Sequence, residues 1–527
     1  MKIGLGVVAA AAMGAALVSH SARTRAPAPP QQAQPQTPRP LPVPPTIVGM
    51  NVSEANNYQA INRLKDVVQN SAQLATVTPH GWAKDPASFE PATLDQNGYI
   101  HGVPHGRQIV VSMYGGPHRL TGSFDCHISP GWQYKMFGDP VIEGSGTRFT
   151  LKVAPEHGRA AMALMLMPTG ASADLTDIGC SLRDDPDPKS PFVPAYLGDL
   201  KPFAVIRFMN LMRANSIGHR DWATRATPHS FSQAGPRGWS VEYMVELANE
   251  AHADPWFTMP FDADPDYYRQ FATYVRDHLA PDRKVYVEYS NEVWNTAFPQ
   301  GREATRLGQA AYPAVDPYTA DDYYYADRVR AVMKIWTEVF AGQEKRLVRV
   351  ASAIAILPQR ADRILAHDQT WRSVDMLATA PYFGSNGFEI KEDGQARVDG
   401  LFAEGPKLVN RAIQNALGAK RVAAKYGLRY GTYEGGPGFS NGMPAIQKDL
   451  NAMNQDPRMY GLYTLFLNRW RKEVGGLLML FSLTGASGQY GGWGHLEYTG
   501  QPPSESPKMR ALIDFIDKLP AQKQPAR

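Results

Sequence analysis

The stretch from Lys284 to Asn295, KVYVEYSNEVWN, constrains the chain most because it is a strand that ends in a carboxylate. Side chains of two kinds alternate from Val285 to Ser290, and the run is rich in branched and aromatic residues. This period of two is typical of a β-strand. Asn291 and Glu292 follow at its C-terminal end. Where parallel strands close into a barrel, that end carries the active site, so Glu292 is predicted to do chemistry.

A second strand of the same kind lies far downstream, in RYGTYEGGPG. Residues 429–433 form the predicted strand, Glu434 ends it, and the glycine-rich run 435–438 turns the chain away. The carboxyl ends of parallel strands meet at one face, so Glu292 and Glu434 are predicted to lie together there.

Strand and helix patterns alternate over most of the remaining chain. This order predicts an α/β fold, a (β/α)8 TIM barrel. Apolar residues make up 43% and charged residues 20% of the 527 residues, which suits a globular chain with room for the barrel and one smaller domain. The predicted barrel strands are 46–53, 203–209, 254–261, 284–290, 346–354, 375–383, 429–433 and 476–483.

A block of short alternating runs, punctuated by Gly and Pro, interrupts this order between the first two barrel strands. It predicts a small antiparallel domain, similar to a β-sandwich, inserted near the start of the barrel. We assign 46–94 to barrel strand 1 and helix 1, 95–190 to the inserted domain, 191–520 to the rest of the barrel and 521–527 to a tail. The insertion either contacts a bound substrate beside the predicted active-site face or serves as a structural cap.

The N-terminus carries Lys2 and then a short apolar run, which predicts a cleaved signal peptide over 1–22. The alternative is an uncleaved anchor, but the run is short for a membrane span. Residues 23–45 are a Pro-rich linker. The expected location is therefore secreted or periplasmic, without stable insertion into a membrane.

The two cysteines, Cys126 and Cys180, both lie in the predicted insertion. They form either a disulfide, which export permits, or two buried thiols.

Charge and motifs exclude several other classes of protein. The net charge of +4 is small and no basic stripe is present, so we expect an uncharged or weakly charged substrate and no nucleic acid. The sequence has no zinc-type histidine motif, no nucleotide-binding glycine motif and no GxSxG serine. We therefore expect neither a metal nor another cofactor.

The ordered motifs resemble those of the clan A glycoside hydrolases. The strings VEYSNEVWN and IRFMN are also similar to a bacterial group often described as cellulose-binding proteins, and the resemblance covers about 46–519. It implies that Glu292 is the acid/base, that Glu434 is the nucleophile and that Asn291 holds a sugar hydroxyl. It also implies that Arg207 and Tyr382 support the nucleophile. From the residues alone, Arg207 pairs equally well with Glu288 inside the barrel.

Aromatic residues on predicted rim loops are candidates to stack on sugar rings, with ordinary packing as the alternative. Clan A barrels commonly have a Trp at the end of strand 8, where this chain has Phe481 followed by Ser482. Trp493 is the candidate to take that place. The full set of candidates is Trp222, Trp256, Trp294, Trp493 and Tyr490.

These patterns predict an exported retaining glycoside hydrolase that cleaves a β-linked polysaccharide or oligosaccharide, and we expect it to be a monomer. The alternative is a non-catalytic carbohydrate-binding protein, directed at cellulose, on the same barrel. A third hypothesis is an envelope protein that serves polysaccharide export and docks a partner through the insertion.

Overall fold

The computed structural model describes residues 41–54, 56, 61–78, 81–115, 118–154, 161–185, 187–218, 220–489 and 491–520. The predicted signal peptide, the linker up to residue 40 and the tail at 521–527 lie outside these residues. Residues 41–45, at the end of the predicted linker, have no regular secondary structure.

The strands and helices are numbered in chain order. The strands are β1 Thr46–Asn51, β2 Gln73–Thr78, β3 Gly81–Ala83, β4 Thr93–Leu94, β5 Ile100–Pro104, β6 Ile109–Gly115, β7 Gly122–Ile128, β8 Trp132–Phe137, β9 Val141–Ser145, β10 Arg148–Val153, β11 Ala161–Pro168, β12 Ser172–Leu175, β13 Ile178–Leu182, β14 Val205–Arg207, β15 Asp254–Met259, β16 Val285–Tyr289, β17 Leu347–Ser352, β18 Met376–Thr379, β19 Arg429–Thr432 and β20 Gly476–Leu480. The α-helices are α1 Val67–Ser71, α2 Pro194–Leu200, α3 Val241–Glu250, α4 Pro265–His278, α5 Pro299–Ala311, α6 Pro317–Val339, α7 Pro358–Ala366, α8 Gly394–Lys425, α9 Pro444–Gln455, α10 Met459–Arg469 and α11 Pro507–Ile516.

Eight parallel strands close into a barrel in the order β1-β14-β15-β16-β17-β18-β19-β20, which confirms the predicted TIM barrel. Closure is made by β20 against β1, where Met50 pairs with Leu480. Helices follow the strands and pack around them, as the alternating pattern predicted. The barrel interior is filled by apolar side chains, among them Val205, Val350 and Met479.

Local signals fix where the outer helices begin. Ser240 accepts a hydrogen bond from the backbone N–H of Tyr243 at the start of α3. Asp264 caps α4 in the same way, and Pro265 occupies its first turn. Such caps satisfy backbone donors that have no partner inside the helix. They set the lengths of the loops that lead from the strands into the helices.

The antiparallel insertion is present and has its own core. Its strands form a four-stranded sheet (β13-β7-β10-β9), a five-stranded sheet (β3-β2-β6-β11-β8) and a three-stranded sheet (β12-β5-β4). Phe124, Leu151 and Leu164 are fully buried among its apolar side chains. Cys126 and Cys180 are register partners on β7 and β13 and form a disulfide with an S–S length of 2.07 Å.

The insertion differs from the sequence expectation at its start. The sheets begin at Gln73, before the boundary placed at residue 95, and β2 pairs with β6. Helix 1, which was assigned within 46–94, is short, since α1 covers only Val67–Ser71 among the described residues. Asp66 caps that turn, and the alternating run QLATVT then continues as a strand. Period-two alternation here outweighs the helical spacing just before it.

The insertion contacts loops at the carboxyl end of the barrel strands. The backbone N–H of Phe231, in the loop after β14, donates to the carbonyl of Asn97 at 2.9 Å. The ring of His118 stacks on Tyr498, in the loop after β20, with 3.6 Å between ring centroids. The insertion therefore lies beside the face on which Glu292 and Glu434 were predicted. Within the described residues, no helix has the length and apolar character needed to cross a membrane.

Candidate active site

Glu292 and Glu434 follow the carboxyl ends of β16 and β19. Ser290 and Glu292 both adopt positive φ, 56° and 42°, so the chain turns sharply as it leaves β16. This left-handed conformation is uncommon for residues other than glycine, and such strain is found most often at functional sites. The turn directs the Glu292 carboxylate across the barrel mouth to Tyr433, the neighbour of Glu434 in the chain.

The Glu292 carboxylate has two side-chain donors. The hydroxyl of Tyr433 donates to Oε1 at 3.0 Å, and Nδ2 of Asn295 donates to Oε2 at 2.9 Å. Burial, followed by the negative charge of Glu434, raises the pKa of Glu292 to about 7. Glu292 can therefore carry a proton near neutral pH and release it without a large cost in free energy.

The Glu434 carboxylate is 6% exposed and is held by different groups. Nη1 of Arg207 donates to Oε1 at 2.8 Å, and the Tyr382 hydroxyl donates to Oε2 at 2.8 Å. Burial raises the pKa of Glu434, whereas the Arg207 charge and the two donors oppose that rise. A cationic donor and a hydroxyl donor on one carboxylate favour its ionised form.

Arg207 is fully buried and binds both of the carboxylates considered for it. Its Nε and Nη2 donate to Oε2 of Glu288 at 3.1 and 2.8 Å, while Nη1 reaches Glu434. Nη1 also donates to Oδ1 of Asn51 at 3.0 Å. Burial acts to lower the pKa of Arg207, but the two glutamates raise it overall. Arg207 therefore makes both of the pairs that the sequence allowed, with Glu434 and with Glu288, in one hydrogen-bonded network.

Asn291 is fixed by partners on both atoms of its amide. Its Oδ1 accepts from Nη2 of Arg207 at 2.8 Å, and its Nδ2 donates to Oδ1 of Asn215 at 2.9 Å. Gln300 holds the same Asn215 oxygen through its Nε2 at 2.8 Å. Asn291 is thus brought to the site with a defined orientation, while its contact with a sugar hydroxyl stays a prediction.

Trp493 lies close to the predicted nucleophile. Its ring is edge-on to Tyr382, with centroids 5.6 Å apart, and edge-on to Phe481 at 5.8 Å. Tyr382 binds Glu434, so Trp493 lies beside a residue that holds the predicted nucleophile. Its contact with a sugar in place of a tryptophan after strand 8 stays a prediction.

Trp256 is not a rim residue, and the prediction that it binds sugar is corrected. It lies within β15, is fully buried, and stacks on Tyr286 with centroids 5.5 Å apart. Its indole N–H donates to Glu288 at 3.0 Å. A side chain on a barrel strand faces either the interior or the helices, and Trp256 belongs to the apolar cluster that fills the barrel interior.

The other aromatic candidates are separated from one another. Trp222 is half-buried in the loop after β14, with the Arg225 guanidinium 3.9 Å from its ring centroid. Trp294 is half-buried two residues after Glu292. Tyr490 lies outside the described residues. Sugar contacts by Trp222 and Trp294 stay predictions.

Sequence reasoning missed four residues of the site. Tyr433 and Asn295 bind Glu292, Asn51 binds Arg207, and Asn215 binds Asn291. Asn51 and Tyr433 could have been found, because each stands at the carboxyl end of a predicted barrel strand, where polar groups converge. Asn295 and Asn215 lie in loops whose path the sequence does not indicate.

One cluster among the described residues has donor atoms close enough for a metal ion, and it comprises Asp327, His367 and Asp368. Arg330 already pairs with Asp327 at 2.6 Å and with Asp368 at 3.1 Å. The cluster belongs to α6 and the segment after α7, and the contacts of the two catalytic candidates do not include it.

No protein-family model and no curated protein matches the sequence. Among solved structures, the chain is similar to a family 51 α-L-arabinofuranosidase from Bifidobacterium longum, with 12% identity, 61% of this chain and 67% of that chain covered, and a TM-score of 0.39. It is also similar to the CBM22-1 and GH10 modules of an endo-1,4-β-D-xylanase from Clostridium thermocellum, with 10% identity, 89% and 97% coverage and a TM-score of 0.37. A third similar structure is a β-glucosidase from Thermotoga maritima, with 10% identity, 62% and 85% coverage and a TM-score of 0.34. All three of these proteins are glycoside hydrolases.

Proposed function

We propose that the chain is an exported retaining glycoside hydrolase that cleaves a β-linked polysaccharide or oligosaccharide by double displacement. The observation that carries the proposal is the unequal environment of two carboxyls at one barrel mouth. Glu292 has neutral donors and a pKa raised to about 7. Glu434 is bound by Arg207 and Tyr382. Groups whose environments differ in this way suit an acid and a nucleophile.

In the first step, Glu292 protonates the glycosidic oxygen while Glu434 attacks the anomeric carbon. The transition state resembles an oxocarbenium ion, and the Glu434 carboxylate stabilises its positive charge. Arg207 and Tyr382 hold that carboxylate in place, so it needs no reorientation during the reaction.

In the second step, Glu292 acts as the base. Forming the glycosyl ester removes the negative charge of Glu434, which is one of the causes that raise the pKa of Glu292. The pKa of Glu292 should therefore fall, and its carboxylate can take a proton from the water that attacks the ester. Tyr433 and Asn295 donate to the ionised form.

Retention requires the two carboxyl groups to be about 5 to 5.5 Å apart, because a wider gap admits a water and gives inversion. Two observations support the short gap. The charge of Glu434 acts on Glu292, and one of the two donors to Glu292 is Tyr433, the residue next to Glu434. The disulfide supports export, because disulfides persist in oxidising compartments.

The test is to incubate the protein with defined oligosaccharides and to follow product anomers by proton NMR. We expect the product to keep the anomeric configuration of the substrate. Glu434→Gln should lower turnover by at least about four orders of magnitude, because loss of one member of a catalytic set costs on the order of 10⁴ to 10⁶ in kcat. Glu404→Gln is the matched control, because Glu404 is an exposed residue of α8 that pairs with Lys407.

Two outcomes would contradict the proposal. An inverted product would exclude the double displacement, and Glu434→Gln with the activity of the wild type would exclude the nucleophile. Binding of insoluble glucan without release of reducing sugar would favour the carbohydrate-binding alternative.

A further inference from the structure

A small cavity with a lining of both polar and apolar residues lies beside the loop that carries Glu292. It is lined by Trp294 from that loop, by Asp321 of α6, by Ser352 at the end of β17 and by Arg360 of α7. Its volume is about 10 Å³, which is room for one group the size of a water molecule or a hydroxyl. The cavity therefore lies between the loops that follow β16 and β17.

Two buried polar atoms of this lining have no hydrogen-bond partner among the described residues. They are Nε1 of Trp294, a donor, and Oδ1 of Asp321, an acceptor. Asp321 is 4% exposed, and its other oxygen accepts from Nη2 of Arg360 at 2.6 Å. A buried polar atom without a partner is unfavourable, because it has lost its hydrogen bonds to water. One hydroxyl can satisfy both atoms, since it accepts from the indole and donates to the carboxylate.

An exposed aromatic ring lies next to the cavity. Tyr318, in the first turn of α6, is 71% exposed, more than any other large apolar side chain in the described part of the chain. The Arg360 guanidinium is 5.9 Å from its ring centroid. Arg360 lines the cavity and also contacts the Tyr318 ring, so Tyr318 lies beside the cavity. A flat apolar ring beside a donor and an acceptor suits a sugar, which has an apolar ring face and hydroxyls at its edge.

The position of the cavity indicates which part of a substrate it meets. This step rests on the proposed function. Glu292 protonates the oxygen of the leaving group, and Trp294 follows it by two residues on the same loop. We propose that Trp294, Asp321 and Tyr318 form a subsite for the leaving group, in which one of its hydroxyls lies between the indole and the carboxylate. The leaving group is then a saccharide, and an alkyl or aryl group leaves the subsite unfilled.

The kinetic test compares two leaving groups on the same sugar. Trp294→Phe keeps a flat ring and removes only the N–H. We expect it to lower kcat/KM about tenfold for a tetrasaccharide, with cellotetraose, mannotetraose and xylotetraose as probes, and less than twofold for the matching nitrophenyl glycoside. Trp336→Phe is the control, because Nε1 of Trp336 is also buried without a partner but lies in the core. An equal loss with both leaving groups would show that the cavity holds a structural water and would overturn the proposal.

Tyr318→Ala should give the same difference between leaving groups. Its matched control is Phe388→Ala, because Phe388 is 57% exposed in the loop after β18. If both variants behave alike, Tyr318 has no special part in the subsite, and its assignment is wrong.

A second measurement does not require turnover. The Glu434→Gln protein is labelled with 5-fluorotryptophan, and the Trp294 and Trp336 resonances are assigned from the Phe variants. Added tetrasaccharide should shift the Trp294 resonance and leave that of Trp336 unchanged. A Trp294 shift in the Glu434→Gln protein, together with no hydrolysis of the same sugar by the wild type, would refute the proposed function and leave the binding site standing. No Trp294 shift with any of the three probes would overturn the subsite itself.

Discussion

Tyr433 links the two glutamates, because its backbone continues into Glu434 and its hydroxyl donates to Glu292. Arg207 links Glu434 to Glu288, because its guanidinium donates hydrogen bonds to both carboxylates. The charges of these groups therefore act on one another, and the pKa of each catalytic candidate depends on neighbours that never touch a substrate. A substitution of Tyr433 should change the pKa of Glu292, and a substitution of Glu288 should change the pKa of Glu434.

Tyr433→Phe removes a donor from the ionised form of Glu292. This hydrogen bond lowers the pKa of Glu292, so its loss should raise the pKa further above 7. A hydrogen bond of about 1 kcal/mol corresponds to a little under one pKa unit. The basic limb of the kcat/KM profile should move to higher pH by about that amount.

Tyr430→Phe is the control for this shift. The Tyr430 hydroxyl bonds to Thr379 at 2.7 Å, away from both glutamates, so its loss should leave the basic limb in place. A basic limb that moves to lower pH in Tyr433→Phe would show that Glu292 is not the acid.

Glu288→Gln removes a negative charge from beneath the site. The Glu288 charge raises the pKa of Glu434, so its loss should lower that pKa and move the acidic limb of the kcat/KM profile to lower pH. Removing one partner of a buried ion pair also costs about 3 kcal/mol, so the melting temperature should fall.

Asp375→Asn separates stability from the shift of the acidic limb. Asp375 precedes β18 at the opposite end of the barrel and binds Arg349 at 2.8 and 2.9 Å. The Asp375→Asn variant should have a lower melting temperature, while the acidic limb of its kcat/KM profile stays at the pH of the wild type. If the kcat/KM profile of Glu288→Gln coincides with that of the wild type, the charge of Glu288 does not affect the pKa of Glu434.

At the scale of elements, strands were predictable and loops were not. All eight barrel strands lie within the predicted ranges, because alternation or a short apolar run records which side of a strand is buried. Glu292 and Glu434 were found for the same reason, since strand ends converge at one face. Asn215 belongs to a loop whose path depends on contacts such as those of Gln300. Trp256 was misplaced because the pattern shows that a residue is in a strand but not at which depth.

Helix α11 fixes the loop that carries Trp493 through a buried amine. Nζ of Lys508 donates to the carbonyl of Gly492 at 2.7 Å, and burial lowers the pKa of Lys508 to about 8. Between that value and the ordinary value of 10.5, the unfolded chain binds more protons than the folded one. Folding stability contributed by this group therefore increases as the pH rises through this window.

The comparison that tests this linkage is wild type against Lys508→Met in urea at pH 7.5, 9 and 10. The free energy of unfolding of the wild type should gain up to about 3 kcal/mol relative to the variant as the pH rises. Lys407→Met is the control, because Lys407 is exposed on α8 and its difference from wild type should stay flat. A difference that shrinks with pH would contradict the buried amine.

At the scale of the whole molecule, the chain contains a core for the barrel and a separate core for the insertion. The existence of both followed from the change in pattern after the first barrel strand. Where the insertion sits did not follow, because it depends on contacts between distant residues, such as Phe231 with Asn97 and His118 with Tyr498. The periodicity of a segment does not indicate which residues of a distant segment it will contact.

Separate cores predict separate responses to loss of the disulfide. Cys126 and Cys180 lie 54 positions apart, both inside the insertion, and closing a loop of that length contributes about 4 kcal/mol in the chain-entropy model. Replacing both residues by Ala should lower the stability of the insertion and leave Glu292, Glu434 and their partners unchanged. Calorimetry should show the unfolding transition of the insertion at a lower temperature and that of the barrel unchanged. At temperatures below the transition of the insertion, kcat should equal that of the wild type. If the whole profile moves as one transition and activity falls with it, the insertion and the barrel unfold as a single unit, and the contacts of Phe231 and His118 bind them more tightly than their separate cores indicate.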